Sequence, residues 1–105
     1  MNKKIKFGKK TIRKYLKGNH YHIIVKEFSN EYISVGLTSD KPNNKRNQKL
    51  HKVYESNGKI ARLKRNATID YKKYYHKKVA NFSVDIETEK KAIQLSKYKK
   101  NRNTN

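Results

Sequence analysis

The chain has 105 residues, 28 Lys+Arg against 8 Asp+Glu, and no cysteine, giving a formal net charge of +20 at pH 7. That length suits one domain with one modest core, and the lack of cysteine excludes disulfides, iron–sulfur clusters, thiol nucleophiles and cysteine-based zinc sites. A positive charge this large attracts polyanions and gains from release of their counterions, which makes nucleic acid the expected partner.

Residues 1–19 form a basic leader, and no acidic residue occurs before Glu27. No apolar run follows the basic start, so it does not read as a secretory leader. No stretch approaches the roughly 20 apolar residues needed to span a bilayer, and no strongly apolar helix face opposes a basic one. A soluble, cytoplasmic protein without a membrane partner is expected. Within the leader, Ile5, Phe7, Ile12, Tyr15 and Leu16 could form an irregular apolar face. A short helix is expected over Thr11 to Leu16, ended by Gly18-Asn19, with the rest of the leader mobile.

A single domain is expected over 20–100. His20 to Phe28 is rich in β-branched and aromatic residues, and Ser29-Asn30 separates it from Glu31 to Thr38, where Ile33, Val35 and Leu37 alternate with Ser34 and Gly36. That period of two marks a half-buried strand, and the pair reads as a hairpin. Ser39 to Lys49 has no apolar residue and contains the only proline, Pro42, which predicts a long exposed loop. Long basic loops inside small domains usually bind something. Leu50 to Glu55 and Lys59 to Arg65 then flank Ser56-Asn57-Gly58, and Asn-Gly is the strongest short hairpin signal because both central positions of its turn need positive φ.

Val79 to Val84 is expected to add a last short strand. Asp85 reads as the N-cap of a helix with Glu87 and Glu89 in its first turn, Lys97, Lys99 and Lys100 near its end, and Ile86, Ala92, Ile93 and Leu95 on its buried side. Residues 101–105 are a polar tail. The expected fold is mainly β: a small, SH3-like, strongly bent antiparallel barrel with a C-terminal helix. Ile24, Val25, Ile33, Val35, Leu37 and Leu63 are its expected core, and Ile24 and Val25 can both be buried only if the sheet curls.

The candidate nucleic-acid contacts are Lys41, Lys45, Arg46 and Lys49 in the loop, then Arg62, Lys64, Arg65, Lys72 and Lys73 with Tyr74 and Tyr75. Lysines neutralise phosphates, and tyrosine rings stack on unpaired bases at about 1–3 kcal/mol per base. RNA and DNA both remain open as the partner at this point.

RNA is also cut by activating its own 2′-OH against the adjacent phosphate, which needs a proton acceptor near neutrality and a cation for the phosphorane. His20 and His22 fall on one face of the first predicted strand, with Thr38 ending its neighbour. Arg46, Arg62 or Arg65 could supply the positive charge. The ordinary alternative is that both histidines are strand surface residues. No carboxylate stands near the His-x-His pair, so neither a metal site nor a cofactor is expected. His51 and His76 have no evident partners in the sequence.

Three motifs in order support a more specific reading. His20-Tyr21-His22-Ile23-Ile24-Val25 is followed by Gly36-Leu37-Thr38-Ser39, and later by Ala67-Thr68-Ile69-Asp70 with Lys77-Lys78-Val79 and Ser83. Over about residues 20–97 this order resembles the MazF/PemK group of mRNA-cutting toxins. Those chains show an Arg-Pro before a hydrophobic strand, an apolar strand ending in Ile-Thr-Ser, and Thr-Ile-Asp, Lys-Lys-Ile and Leu-Ser before the last helix. The basic leader replaces the usual Gly-Asp-Ile opening strand, and His20 stands at the position of the catalytic arginine. The resemblance implies a metal-independent endoribonuclease acting on single-stranded RNA, with His20, His22, Thr38 and Ser39 at its site. It also implies an acidic antitoxin peptide as partner and a possible homodimer. The alternative is a non-catalytic nucleic-acid-binding protein of a phage or mobile element, which blocks another enzyme by occupying its RNA or DNA.

Overall fold

The computed structural model describes residues 4–99; the polar tail, Lys100 and the first three residues lie outside the described residues. The chain is mainly β, with one five-stranded antiparallel sheet and one long helix. In chain order the strands are β1 (Ile12–Lys14), β2 (Tyr21–Glu27), β3 (Glu31–Ser39), β4 (His51–Tyr54) and β5 (Ile60–Tyr71). A short helix α1 (Lys45–Gln48) sits between β3 and β4, and α2 (Ile86–Ser96) closes the described chain. The strand order is β1-β2-β3-β5-β4, and the two edge strands do not pair with each other, so the ladder stays open rather than closing into a barrel.

β1 replaces the helix expected over Thr11 to Leu16. Ile12 pairs with Ile23 of β2, and the other edge of β1 accepts hydrogen bonds from His76 N to Lys14 O and from Ala80 N to Ile12 O, both at 2.7 Å. An isolated six-residue helix is marginal in water, whereas a β-branched segment between two partners has its backbone groups satisfied on both sides. The expected last strand over Val79 to Val84 forms no ladder. Val84 and Asp85 instead make single bridges to Glu55 and Phe7, which set this segment between the end of β4 and the leader.

The hairpin of β2 and β3 turns at Ser29-Asn30, as the alternation predicts. In the turn between β4 and β5 only Gly58, at φ +90°, takes a left-handed conformation; Asn57 does not, so the turn runs over Glu55 to Lys59, closed by Glu55 N donating to Lys59 O at 3.0 Å, rather than as a two-residue Asn-Gly turn. The core consists of Ile12, Ile23, Ile33, Val35, Leu37, Val53, Ala61, Leu63 and Ala67 from the strands with Phe82, Val84 and Ala92. Val25 packs against it, while Ile24 is buried outside this cluster, in register with Ser34. An irregularity between Ile24 and Lys26 places Val25 off the regular register, and this allows two consecutive apolar residues both to be covered.

The Asp85 side chain caps α2 by accepting from Thr88 N at 3.1 Å. Thr88 and Ala92 are buried and Leu95 packs on the core, a stripe at i, i+4 and i+7 that turns toward the sheet. Ile93 lies off that stripe and is 37% exposed, contrary to its expected burial. Lys97 and Lys99 fall just beyond the last turn rather than within it.

β5 carries the largest departure from regular pairing. Val35 is in register with Ala67 but Leu37 with Leu63, so two steps on β3 face four on β5. Lys64, Arg65 and Asn66 form the resulting bulge, and all three are exposed. Bulges of this kind re-aim side chains and concentrate beside functional sites.

Candidate functional site

His20, Thr38 and Ser39 line a single open cleft of about 500 Å³ at one end of the sheet, together with Asp40, Glu55, Asn57 and Lys59. His20 lies just before β2 and is exposed; Thr38 and Ser39 end β3. Pairing of β2 with β3 brings His20 and Thr38 together across a gap of many residues, with His22 in register with Gly36. The turn of the β4–β5 hairpin supplies the opposite wall through Asn57 and Lys59.

His22 does not belong to that cleft. It is 1% exposed and stacked among aromatic rings, with Tyr15 at 4.2 Å and Tyr32 at 5.6 Å between centroids; Tyr75 lies 4.8 Å beyond Tyr32. Neither ring nitrogen has a hydrogen-bond partner among the described residues. Burial penalises the imidazolium, and Lys64, whose stem crosses Gly36 of β3, repels it further; attraction from Asp70 opposes both, and the pKa falls to about 4. His22 is therefore a neutral, buried ring at neutral pH and cannot touch an RNA substrate. The layer is closed by Tyr15 Oη donating to Asp70 at 3.0 Å and Tyr75 Oη donating to Glu27 at 3.0 Å. Burial also raises the phenol pKa values of Tyr15 and Tyr32.

Arg62 likewise has a structural role. It is in register with Thr38, the place from which a strand arginine would reach the cleft, but its side chain is turned into the segment after β3. Its Nε donates to Asp40 at 2.9 Å, and its terminal nitrogens donate to Gln48 O, Leu50 O and Gln48 Oε1 at 3.0–3.3 Å. With its side chain 11% exposed and its guanidinium so engaged, it has little left to offer a phosphate. The bond from Arg62 holds the Asp40 carboxyl below the usual aspartate range. This hub gives the expected loop its order, since it fastens Asp40, just after β3, and Gln48 and Leu50, just before β4, against β5.

The remaining predicted contacts are spread over several surfaces. Lys41, Lys45 and Arg46 are exposed on the segment around α1. Lys49, Lys64 and Arg65 meet Lys91 of α2 at a groove beside β5. Lys72 pairs with Glu27 at 3.6 Å, and Lys73 Nζ lies over the rings of Tyr71 and Tyr74, 5.8 and 5.1 Å from their centroids. Tyr74 is half exposed and can offer a face to a base. Tyr75 is less available, because it holds Glu27 and lies under the Arg13 guanidinium at 4.5 Å.

Sequence reasoning missed Lys59, Lys91 and His51. Lys59 is recognisable only after the Asn57-Gly58 turn folds it back toward Ser39, and Lys91 only once the apolar stripe of α2 has found the sheet. His51 does have a partner: its Nε2 lies 3.0 Å from Thr88 Oγ1. No group of three or more His, Cys, Asp or Glu is placed to hold a metal ion among the described residues, and no helix among them is long and apolar enough to cross a membrane. Comparison with family models, curated proteins and solved structures gave no match to the chain.

Proposed function

We propose that this chain is a toxin-like endoribonuclease that cuts single-stranded RNA without a metal, on a sheet related to the SH3-like barrel of the MazF/PemK group. The observation that carries this reading is the meeting of His20, Thr38 and Ser39 in one cleft with Lys59. His20 would take the proton of the ribose 2′-OH as that oxygen attacks the adjacent phosphorus. The P–O5′ bond breaks, the 5′-oxygen is protonated by the imidazolium or by water, and a 2′,3′-cyclic phosphate remains. Lys59 offsets the charge of the phosphorane, and Thr38 and Ser39 orient the scissile phosphate through their hydroxyls. The bridges from Glu55 through Val84 and Asp85 to Phe7 support the barrel relation, since they carry strand-like contacts past the β4 edge toward the leader. An acidic inhibitory peptide and a homodimer belong to the same proposal.

One observation favours the second reading, a non-catalytic binding protein of a phage or mobile element. Asp40 and Glu55 flank the cleft, and the arginine in register with Thr38 is engaged elsewhere, so Lys59 works against two carboxylates. Incubation of the purified protein with a labelled single-stranded RNA pool, with and without EDTA, separates the two. Cleavage that survives EDTA, is lost in His20→Ala and Thr38→Ala, and is kept or raised in His20→Arg supports the nuclease, with RNA binding unchanged throughout. A protein that binds RNA, cuts none between about pH 6 and 9, and gains no activity from His20→Arg leaves the binding protein standing.

A further inference from the structure

The groove beside β5 is separate from the cleft of His20 and Thr38. It measures about 320 Å³, near the lower limit for a small-ligand site, and has room for a nucleotide-sized group rather than a large ligand. Its cations come from three elements, Lys49 at the end of α1, Lys64 and Arg65 in the β5 bulge, and Lys91 on α2, over a floor that includes Leu63 and Leu95. Among the described residues, no acidic side chain lines it. Two features of the fold build it. The bulge lifts Arg65 out of the regular ladder, and Arg62 binds the carbonyls of Gln48 and Leu50, the residues on either side of Lys49.

His51 also lines this groove, and its tautomer follows from its neighbours. Thr88 Oγ1 donates its proton to Asp85 Oδ1 at 2.7 Å, because a carboxylate can only accept. The same oxygen must then accept from His51 Nε2 at 3.0 Å, so Nε2 carries the proton. In the neutral ring Nδ1 is left as a hydrogen-bond acceptor in a groove whose other polar side chains are donors. A backbone that offers both phosphate oxygens and a hydroxyl donor fits that combination, and the 2′-OH is what distinguishes RNA from DNA.

We propose that the groove binds the ribose–phosphate backbone of single-stranded RNA, with Lys49, Arg65 and Lys91 on phosphates and His51 Nδ1 accepting from a 2′-OH. This rests on the reading of the protein as RNA-directed. β5 links the two sites: Ala61 lines the cleft and Lys64 the groove, three residues or about 10 Å apart along a strand. A strand of RNA leaving the cleft along β5 would enter the groove.

The test compares Lys49→Ala/Arg65→Ala/Lys91→Ala with a control triple at exposed lysines elsewhere, Lys9→Ala/Lys17→Ala/Lys97→Ala. Both are read by filter binding of a single-stranded RNA against salt, after thermal melts have shown that both fold. Loss of three phosphate contacts lowers the slope of log affinity against log salt by about two and costs more than tenfold at 0.1 M salt. The control triple, which removes the same charge, should lose less than threefold. The 2′-OH contact is read on the ligand: RNA should bind about threefold to tenfold more tightly than 2′-O-methyl RNA or DNA of the same sequence, and His51→Phe should remove that preference. Equal losses in the two triples, equal affinity of wild type for RNA and 2′-O-methyl RNA, or displacement of the RNA by polyglutamate at matched charge would each overturn the proposal. If wild type binds RNA and the triples do not differ, the groove is refuted while the RNA-directed function stands; if wild type binds no RNA, both fall.

Discussion

His22 should make the protein sensitive to mild acid. The ring is buried with both nitrogens unpartnered, and its pKa falls from 6.5 to about 4. In the unfolded chain the same ring titrates near its ordinary value. Below that value the unfolded state binds a proton that the folded state refuses, and folding stability drops as the pH falls. Two and a half pH units correspond to about 3 kcal/mol in full, of which about 1.5 is lost by pH 5.5 and about 2.5 by pH 4.5. About half of this loss falls by pH 5.5, above the ordinary carboxylate range near about 4, so it can be separated from ordinary acid unfolding. His22→Phe keeps a planar ring between Tyr15 and Tyr32 and removes the ionisable group. Urea unfolding at pH 7.5, 6.5, 5.5 and 4.5 should show wild type falling relative to His22→Phe by those amounts, with the variant equal to wild type or about 1 kcal/mol more stable at pH 7.5. Parallel curves for the two proteins down to pH 4.5 would refute the reasoning, as would a large loss of stability in His22→Phe at pH 7.5, which would mean that the ring nitrogens hold partners.

Arg62→Met should cost about 1–3 kcal/mol in urea unfolding, since it leaves the carbonyls of Gln48 and Leu50 without their guanidinium donor, and Arg62→Lys should recover less than half because an ammonium cannot match the fork. A loss below 1 kcal/mol for Arg62→Met would show that the hub does not hold the loop. Val35 is fully buried at the centre of the sheet, and Val35→Asp should abolish cooperative melting; an unchanged Tm would mean that the inward face has been misassigned. Affinity for single-stranded RNA should fall with salt at about −0.7 in log units per neutralised phosphate, and an affinity independent of salt would end the electrostatic account.

Much of the local structure could be read from the sequence. Alternation of Ile33, Val35 and Leu37 marks β3, the spacing of two apolar runs around Ser29-Asn30 marks its hairpin, Asn57-Gly58 marks the second turn, and Asp85 marks the start of α2. Each signal is carried by residues within a few positions of one another, where backbone preference, turn geometry and capping act directly. The juxtaposition of His20 with Thr38 was legible too, because a hairpin with a short turn brings its open ends together.

What only the tertiary structure decided depends on partners distant in the chain. Thr11 to Leu16 carries a weak helical pattern, but β2 on one side and the backbone of 76–80 on the other hold it as β1. His22 and His20 have the same residue type and strand parity, yet one is buried and near pKa 4 while the other is exposed, because Tyr15 and Tyr32 arrive from other parts of the chain to cover the first. Arg62 is indistinguishable by type from the basic residues around it, and its role follows from Asp40, Gln48 and Leu50 being folded back onto it. Charge composition alone is the ground on which a polyanionic partner is proposed. Which cations face a ligand and which hold the fold is settled by long-range packing, since burial and hydrogen-bond partners are properties of the assembled sheet and helix rather than of any segment.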